Sequence, residues 1–599
     1  MSDYLESLNE EQLAVIEQCL TKYKAGWSVD LGFGKTRMSI AAAKHLMGNE
    51  PILFITSKTL IPNTTLEIDN AFKGKIKYFV YHKDYYKKIN EIVNISQLNC
   101  DVVITTPETV RKYYNEDNIQ SALIEERVVK TAGHSAKSIF YNVGEENYND
   151  VSFLYSTFWG SVIIDEFHDY ADIEAERTRA MVALPGRVRY ALSGTITSDS
   201  KPETLLGYYL FIQDPNFPRS LPEVKKFIKT PEFTGLNETF IIAKSKPLDI
   251  TVNKYSHIVP LGLEGEMIYR VIRNFLLEIN AEANKCKVLG DTENFKKLNG
   301  QRLGLLTSLR ECIVSPLIPL TKMAINLFEH AEFNELAKKF NQHIRNLGID
   351  YYLDDPANII TPRIKQACDI VTDTKIPTRK TLIFTPWRAV IKVLMYQLKK
   401  DTNKYIATLE GNMTLTQRGH IIDNFIKCDE GVLIMTYKIG GKGLNLQVAD
   451  SVVFVDYDWK TSDTLQALAR TVRRGQTKDV NIHYLYSNTG VEDAVLKKQH
   501  EKAKLGHELL YGPSKTTVSK IKLDQIIRFL DNEKATERFD SLYINPTYNK
   551  EIVTTKNVTP IGTPKIENPK NENVNSKNES VNSDENFGME DDEYDDGDL

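Results

Sequence analysis

Asp30-Leu31-Gly32-Phe33-Gly34-Lys35-Thr36 is the stretch that decides how this chain of 599 residues is read. A Gly-x-Gly-Lys-Thr loop can wrap phosphate oxygens with backbone N–H groups. Its lysine neutralises the outer phosphates and its threonine hydroxyl ligates Mg²⁺. A glycine turn at a helix start can also be purely structural, so the reading needs a second half. Asp165-Glu166-Phe167-His168 supplies it, closing the β-like run Ser161-Val162-Ile163-Ile164. Asp165 is suited to hold the metal through water and Glu166 to polarise the attacking water. Both halves then fall at strand ends, where open α/β sheets bind ligands. Gln12, upstream, carries an amide that can read adenine's donor and acceptor edge, although a solvated helix residue explains it equally well. Together these residues imply hydrolysis of a nucleoside triphosphate.

Working outward, short apolar, β-branched runs alternate with longer helical patterns. One series is Pro51–Thr56, Asp101–Thr105, Val162–Asp165 and Tyr190–Ser193; a second is Thr381–Thr385, Val432–Thr436, Ser451–Asp456 and Val480–Tyr484. Apolar strands separated by helices indicate parallel sheets covered on both faces. The chain therefore divides into an α/β lobe over 1–250, a helical insertion over 251–375, where Leu263–Asn280 and Asn294–Ile313 carry apolar residues at three- and four-residue spacing, and a second α/β lobe over 376–510. A charged helical extension (511–544) and a tail (545–599) follow. The tail is rich in Asn, Lys, Glu, Ser and Pro and is expected to be disordered. Residues 112–160 form an insertion of mixed character that the pattern does not place.

At 41% hydrophobic and 26% charged residues the composition is that of a soluble globular protein. No apolar run is long enough to span a bilayer, and the acidic, amphipathic start of the chain is unlike a secretory signal, so an intracellular, cytoplasmic protein is expected. The cysteines (Cys19, Cys100, Cys286, Cys312, Cys368, Cys428) are scattered without a Cys-x-x-Cys pair, which favours reduced buried thiols over disulfides or zinc. The net charge of −5 conceals a mildly basic body, because nine acidic residues crowd into the stretch from Asp584 onward. A basic body permits nucleic-acid binding.

Residues 465–476, Leu-Gln-Ala-Leu-Ala-Arg-Thr-Val-Arg-Arg-Gly-Gln, place Arg470 and Arg473 three apart, on one helix face. Across a cleft from the phosphates they would stabilise charge developing in the transition state. Standing alone, such a helix is more often a solvated or nucleic-acid-facing surface. In register, Gln466, Ala467, Arg470, Arg473, Gly475 and Gln476 match Gln-Ala-x-x-Arg-x-x-Arg-x-Gly-Gln, the final motif of the superfamily 2 nucleic-acid-dependent ATPases. Gly440, Gly441, Gly443, Asn445 and Leu446 match the Gly-Gly-x-Gly-x-Asn-Leu before it. Asp456-Tyr457-Asp458-Trp459, Ser193-Gly194-Thr195 and Thr105-Thr106-Pro107-Glu108 resemble further motifs of that group. Two more segments, Val259-Pro260-Leu261 with Tyr269 and Leu306–Leu317, resemble the entry and a helix of the insertion in its SWI/SNF-like DNA translocases. The resemblance covers about residues 8–510.

The resemblance implies two RecA-like parallel-sheet lobes with a helical insertion between them. It implies ATP and Mg²⁺ between the lobes, held by Gly32, Gly34, Lys35, Thr36, Asp165 and Glu166 from one side. Gln12 and Gln466 join the nucleotide site, Thr36 and Asp165 hold the metal, and Arg470 and Arg473 complete the site from the second lobe. It implies tracking of a nucleic-acid backbone by Ser57, Asn63, Thr105, Thr106, Thr385, Thr436, Asn445 and Trp459. Neutral strand-end groups of this kind bind phosphate oxygens without reading bases. The implied partner is DNA, as a duplex, with RNA as an alternative. The acidic tail, with Phe587 and Tyr594 interspersed, reads as a solubilising end or as a dock for a polymerase or other basic protein; no membrane is expected. Ala469, Val472, Lys460-Thr461 and Val29 depart from the family's usual residues and suit a divergent branch, such as ATPases of large DNA viruses, phages or linear plasmids. The expected activity is ATP-driven translocation on duplex DNA that displaces bound proteins. A strand-separating helicase and a non-enzymatic assembly factor acting through its tail are the alternatives.

Overall fold

The computed structural model describes residues 4–92, 94–114, 123–131, 134–142, 152–194, 202–213, 218, 220–228, 230, 240–243, 249–324, 338–339, 342, 345–346, 361–373, 379–411, 413–440, 446–457, 461–473, 475–487 and 489–497. The acidic tail, Thr195, Asn445 and Trp459 lie outside them.

The first lobe is built on a seven-stranded parallel sheet. Its strands are β1 (Lys24–Val29), β2 (Ile52–Ile55), β3 (Tyr78–Val80), β4 (Val102–Thr105), β7 (Trp159–Ile164), β8 (Gly186–Ser193) and β9 (Ile241–Ala243), in the order β3-β4-β2-β7-β8-β1-β9. The runs β2 and β4 are buried at every position because both faces are covered. Alternation then divides them: Leu53, Ile55, Val103, Val162 and Ile164 enter one core, and Ile52, Phe54, Val102, Ile104 and Ile163 the other. The missed strand, β1, reads Lys-Ala-Gly-Trp-Ser-Val and has no apolar run to betray it. Its Gly26 is obligatory for packing, since a Cβ there would lie 2.0 Å from the Phe240 ring. Around this sheet lie α1 (Glu10–Cys19), α2 (Lys35–Met47), α3 (Ile61–Phe72) and the short α4 (Pro107–Lys112).

The second lobe has a six-stranded parallel sheet, β10-β15-β14-β11-β13-β12, made of β10 (Val252–Ile258), β11 (Lys380–Phe384), β12 (Tyr405–Leu409), β13 (Gly431–Met435), β14 (Ser451–Phe454) and β15 (Val480–Tyr486). The position of β10 shifts the sequence-based boundary. Residues 252–258 fall where the helical insertion was expected to begin, yet they pair in register with Val480–Tyr486 as an edge strand of the second sheet. Val-Asn-Lys-Tyr-Ser-His-Ile is mixed polar and apolar and half-buried or exposed throughout, without the unbroken apolar run of the central strands. The unplaced 112–160 insertion contains an antiparallel hairpin, β5 (Leu123–Thr131) with β6 (His134–Asn142), forming its own two-stranded sheet.

Between the lobes in sequence stands a helical hairpin. The helix Leu263–Leu289, about 40 Å long at 1.5 Å per residue, turns at Gly290 (φ 71°) into the helix Thr292–Val314. Ile268, Ile272, Phe275 and Leu276 pack against Leu305, Leu306 and Leu309. Its base is pinned to the second lobe by buried polar contacts. Arg310 donates to the Tyr457 carbonyl at 2.5 Å, and Arg363, on the helix Pro362–Thr372, holds Glu492 through two 2.8 Å bonds while donating to Ser487. Asp456 accepts from Trp387 Nε1 at 2.7 Å, and burial, partly offset by Arg310, raises its pKa to about 6.

The buried polar groups of the second lobe make its stability testable. Arg363→Ala leaves the Glu492 carboxylate (side chain 3% exposed) buried without its cation, and thermal or urea unfolding should show the lobe destabilised by about 3–5 kcal/mol. His257 Nε2 lies 3.1 Å from His483 Nδ1, and Tyr255 stacks on His483. Burial lowers the two histidines to about 4 and about 3. The unfolded chain therefore binds protons that the folded lobe refuses, so the stability is complete above about pH 6.5 and is lost as pH falls toward 4. His257→Gln should flatten that acid limb in a pH series of unfolding midpoints; an unchanged limb would place acid sensitivity elsewhere.

Candidate functional site

Strands β7, β8 and β1 are neighbours, so the connections leaving their carboxyl ends converge within about 10 Å. The loop after β1 turns through Gly32 (φ 79°) and Gly34 (φ 92°), both left-handed and costly for any side-chain-bearing residue. Gly34 caps α2, so the free N–H groups and positive dipole end of a thirteen-residue helix face the loop. Lys35 is buried, its ammonium donating to the Val29 carbonyl at 3.3 Å, and it stands 3.3 Å from where a Cβ on Gly194 would be. Thr36 is half-buried on the same first turn.

Asp165 follows β7, its N–H bonded to the Ile55 carbonyl at 2.8 Å. Burial first, then the neighbouring Glu166 charge, raise its pKa to about 7, against the pull of Lys35. Glu166 sits in the left-handed region at φ 49°, a strained position for glutamate that turns the chain sharply after the strand. His168 stands at the centre of a relay the sequence reading overlooked. Its Nδ1 lies 2.9 Å from Ser193 Oγ at the end of β8 and 3.4 Å from Glu166 Oε2, while its Nε2 lies 3.3 Å from Gln466 Nε2 in the second lobe. The signal was present in the histidine three residues past Asp165 and in the serine ending an apolar run.

From the second lobe, the segment after the helix Thr461–Leu468 delivers both arginines. Arg473 packs over the phosphate loop: its Cβ and Nε lie 3.3 and 3.4 Å from a Cβ built on Gly32. Arg470 is buried, lowered to about 10 by burial and by Arg473, and drawn back up by Glu166 and Asp165. Burial also lowers Arg473, with Glu67 of α3 opposing. The structure thus gathers Gly32, Gly34, Lys35, Asp165, Glu166, Arg470 and Arg473 around one cleft.

Gln12 and Gln466 both lie beside the cleft and make contacts within the protein. Gln12 is fully buried and commits both ends of its amide internally, Nε2 donating to the Phe33 carbonyl at 2.7 Å and Oε1 accepting from Asn9 N–H at 3.2 Å. It clamps the phosphate loop to the cap of α1, and Gly34 leaves room for it, since a Cβ there would meet Nε2 at 2.8 Å. Gln466 meets His168 across the lobes.

Of the residues expected to follow a nucleic-acid backbone, Thr105 and Thr385 are fully buried, their hydroxyls committed to the Tyr81 carbonyl at 2.9 Å and the Trp387 N–H at 3.3 Å. Thr106 is buried too, capping α4. Ser57, Asn63 and Thr436 remain half-buried at strand or helix ends.

The cleft fits a magnesium nucleotide on this chemistry. Two glycines bare the backbone, three cations face the cleft, Lys35 from the first lobe and Arg470 and Arg473 from the second, and Thr36 with Asp165 offers oxygen ligands. Mg²⁺ takes one or two protein carboxylates and completes its shell with phosphate and water, so the absence of a cluster of three or more His, Cys, Asp or Glu among the described residues is compatible with it.

Fold and site together define a two-lobed, helicase-like nucleic-acid-dependent ATPase. The SNF2-related domain matches residues 27–230 and the helicase conserved C-terminal domain residues 362–475. By these two domains the chain resembles the SNF2-related branch of the superfamily 2 helicase-like ATPases. A helicase-like protein, 172L of Invertebrate iridescent virus 6, is 23% identical over 83% of this chain and 87% of its own length. The mouse SWI/SNF-related matrix-associated actin-dependent regulator of chromatin, subfamily A, containing DEAD/H box 1 is 22% identical over 80% of this chain; the match spans about half, 47%, of that protein. The Sulfolobus solfataricus SWI2/SNF2 ATPase core in complex with dsDNA aligns over 85% of this chain and 98% of its own at 18% identity, with a TM-score of 0.32.

The Gln12 contacts make a prediction. If Gln12 acts on the loop, Gln12→Ala should raise KM for ATP and GTP alike by roughly tenfold, the loss of a buried hydrogen bond or two, and leave their ratio unchanged. Steady-state kinetics with both nucleotides decide it; a changed ratio would return Gln12 to the adenine.

Proposed function

We propose that this chain is an ATP-driven translocase on double-stranded DNA that remodels or displaces bound proteins. The observation that carries the reading is the match to the SNF2-related domain, followed by an inserted helical hairpin ahead of the second lobe. The likeness to proteins named as regulators of chromatin supports it.

In this reading Gly32, Gly34 and Lys35 bind the phosphates of ATP, and Thr36 and Asp165 hold Mg²⁺, which when bound neutralises phosphate charge. Glu166 takes the proton of the attacking water. Arg470 and Arg473 stabilise the negative charge that develops on the transferred phosphoryl group, a contribution that fingers of this kind make only when positioned. Because they come from the other lobe, turnover requires the lobes to be together. Alternation between closed and open lobes gives a step along the backbone, gripped by Ser57, Asn63 and Thr436 and by lysines and arginines nearby.

One observation favours a second reading. Each arm of the β5–β6 hairpin is nine residues long, about 30 Å at 3.4 Å per residue, a shape able to wedge a duplex open. That would make the protein a strand-separating helicase.

Steady-state ATPase activity of the wild type and Glu166→Gln, with no nucleic acid, single-stranded DNA, duplex DNA and duplex RNA in turn, tests the proposal. Duplex DNA should stimulate the wild type at least about tenfold, and Glu166→Gln should lower turnover by about 10²–10⁴-fold while still binding ATP. Chelating Mg²⁺ should abolish activity. Stimulation confined to single strands or RNA, or unwinding of a forked duplex, would replace the translocase by the helicase.

A further inference from the structure

The three neighbouring strands at the far side of the first lobe, β3, β4 and β2, end on the same edge of the sheet as the phosphate loop, but β3 lies five strand spacings from β1, about 24 Å. The segment leaving β3 there reads Tyr81-His82-Lys83-Asp84-Tyr85-Tyr86-Lys87-Lys88. Its two ends are anchored: Tyr81 (1% exposed) accepts from Thr105 Oγ1, and Ile89 is buried. The residues between, Lys83 to Lys88, are all exposed.

Two features make this more than a solvated loop. Tyr85 and Tyr86 are 44% and 39% exposed, adjacent, and held in place. Their N–H groups both bond to the His82 carbonyl, at 2.9 and 3.0 Å. The Tyr86 ring meets Phe79 edge-on (5.4 Å, 73°) and the Tyr85 ring meets His82 likewise (6.2 Å, 77°), so each is braced without a parallel ring stacked on it. Around them lie Lys58, Lys83, Lys87 and Lys88 against the carboxylates Asp84 and Glu91. The pairs Lys58–Asp84 and Lys88–Glu91 are solvent-exposed and of the kind that contributes little, so a phosphate can replace either carboxylate. Lys58 follows Ser57 directly, which makes the patch continuous with the proposed backbone track.

We propose that Tyr85 and Tyr86, with the surrounding lysines, form a platform for an unpaired nucleic-acid strand. Exposed, braced aromatic rings beside lysines are what stacks splayed bases while neutralising their backbone; paired bases in a duplex present no faces to such rings. The platform therefore adds a second mode of engagement to the duplex reading, suited to a fork, a bubble or a displaced strand. It does not depend on that reading, because its ligand and its residues are separate from the ATP cleft.

The test is fluorescence anisotropy with the full chain and labelled probes: a thymidine oligonucleotide of about 20 nucleotides, a uridine oligonucleotide of the same length, and a blunt duplex. The double variant Tyr85→Ala/Tyr86→Ala should weaken single-strand binding by roughly tenfold or more per stacked base, leave duplex affinity within about twofold, and leave ATPase activity without nucleic acid unchanged. Tyr85→Phe/Tyr86→Phe should bind like the wild type. The two single-stranded probes distinguish DNA from RNA. Equal losses for duplex and single strand, no loss at all, or no single-strand binding by the wild type would each overturn the platform. Failure of duplex DNA to stimulate the ATPase would overturn the translocase and leave this result standing.

Discussion

The constraint on which the molecule turns is the burial of cationic charge between the lobes. Lys35 of the first lobe and Arg470 of the second are buried at the cleft and Arg473 is half-buried beside them, and each guanidinium carries a desolvation cost that nearby carboxylates offset. Asp165 and Glu166 offset Arg470, and Glu67 offsets Arg473. Those carboxylates sit on the first lobe while the arginines sit on the second. The closed cleft is thus held by opposite charges already in place, and a bound triphosphate would enter a site whose cations are preorganised for it.

The His168 relay gives that closure a geometric reporter. A single imidazole touches the strand-end Ser193, the acid pair through Glu166, and Gln466 across the cleft. Of these contacts only the one to Gln466 crosses the lobes, so separation of the lobes would break it and leave those to Ser193 and Glu166 in place. Coupling of chemistry to movement then needs no long pathway, because one side chain belongs to both.

Most of this was legible in the chain, and the exceptions share a cause. The central strands were visible because burial on both faces leaves unbroken apolar runs such as Ile52–Ile55 and Val432–Met435. The edge strands β10 and β12 and the glycine-interrupted β1 were not, since an open side or a close-packed glycine removes the run. The cleft residues were found because their roles depend on types at fixed spacing, as in Gly32-Phe33-Gly34-Lys35-Thr36. The internal contacts of Gln12 and Gln466 were not legible because an amide serves a base, a backbone carbonyl or another side chain equally well, and only the fold says which lies near. The burial of Thr105 and Thr385 was not legible for a similar reason: a strand-end hydroxyl bonds its own chain as readily as it binds phosphate.

The opposite sides of the first sheet divide the work. Strands β7, β8 and β1 carry the nucleotide chemistry, while β3, β4 and β2 carry Ser57, Asn63 and the exposed tyrosines on the same edge. The two groups sit on one sheet packed on both faces, so the distance between them is set by strand spacing. The helical hairpin, by contrast, is pinned to the second lobe through Arg310. On the proposed translocase reading, the second lobe and its hairpin would advance and retreat against a first lobe that holds the nucleotide, with the grip shared between Ser57 and Asn63 on the first lobe and Thr436 on the second.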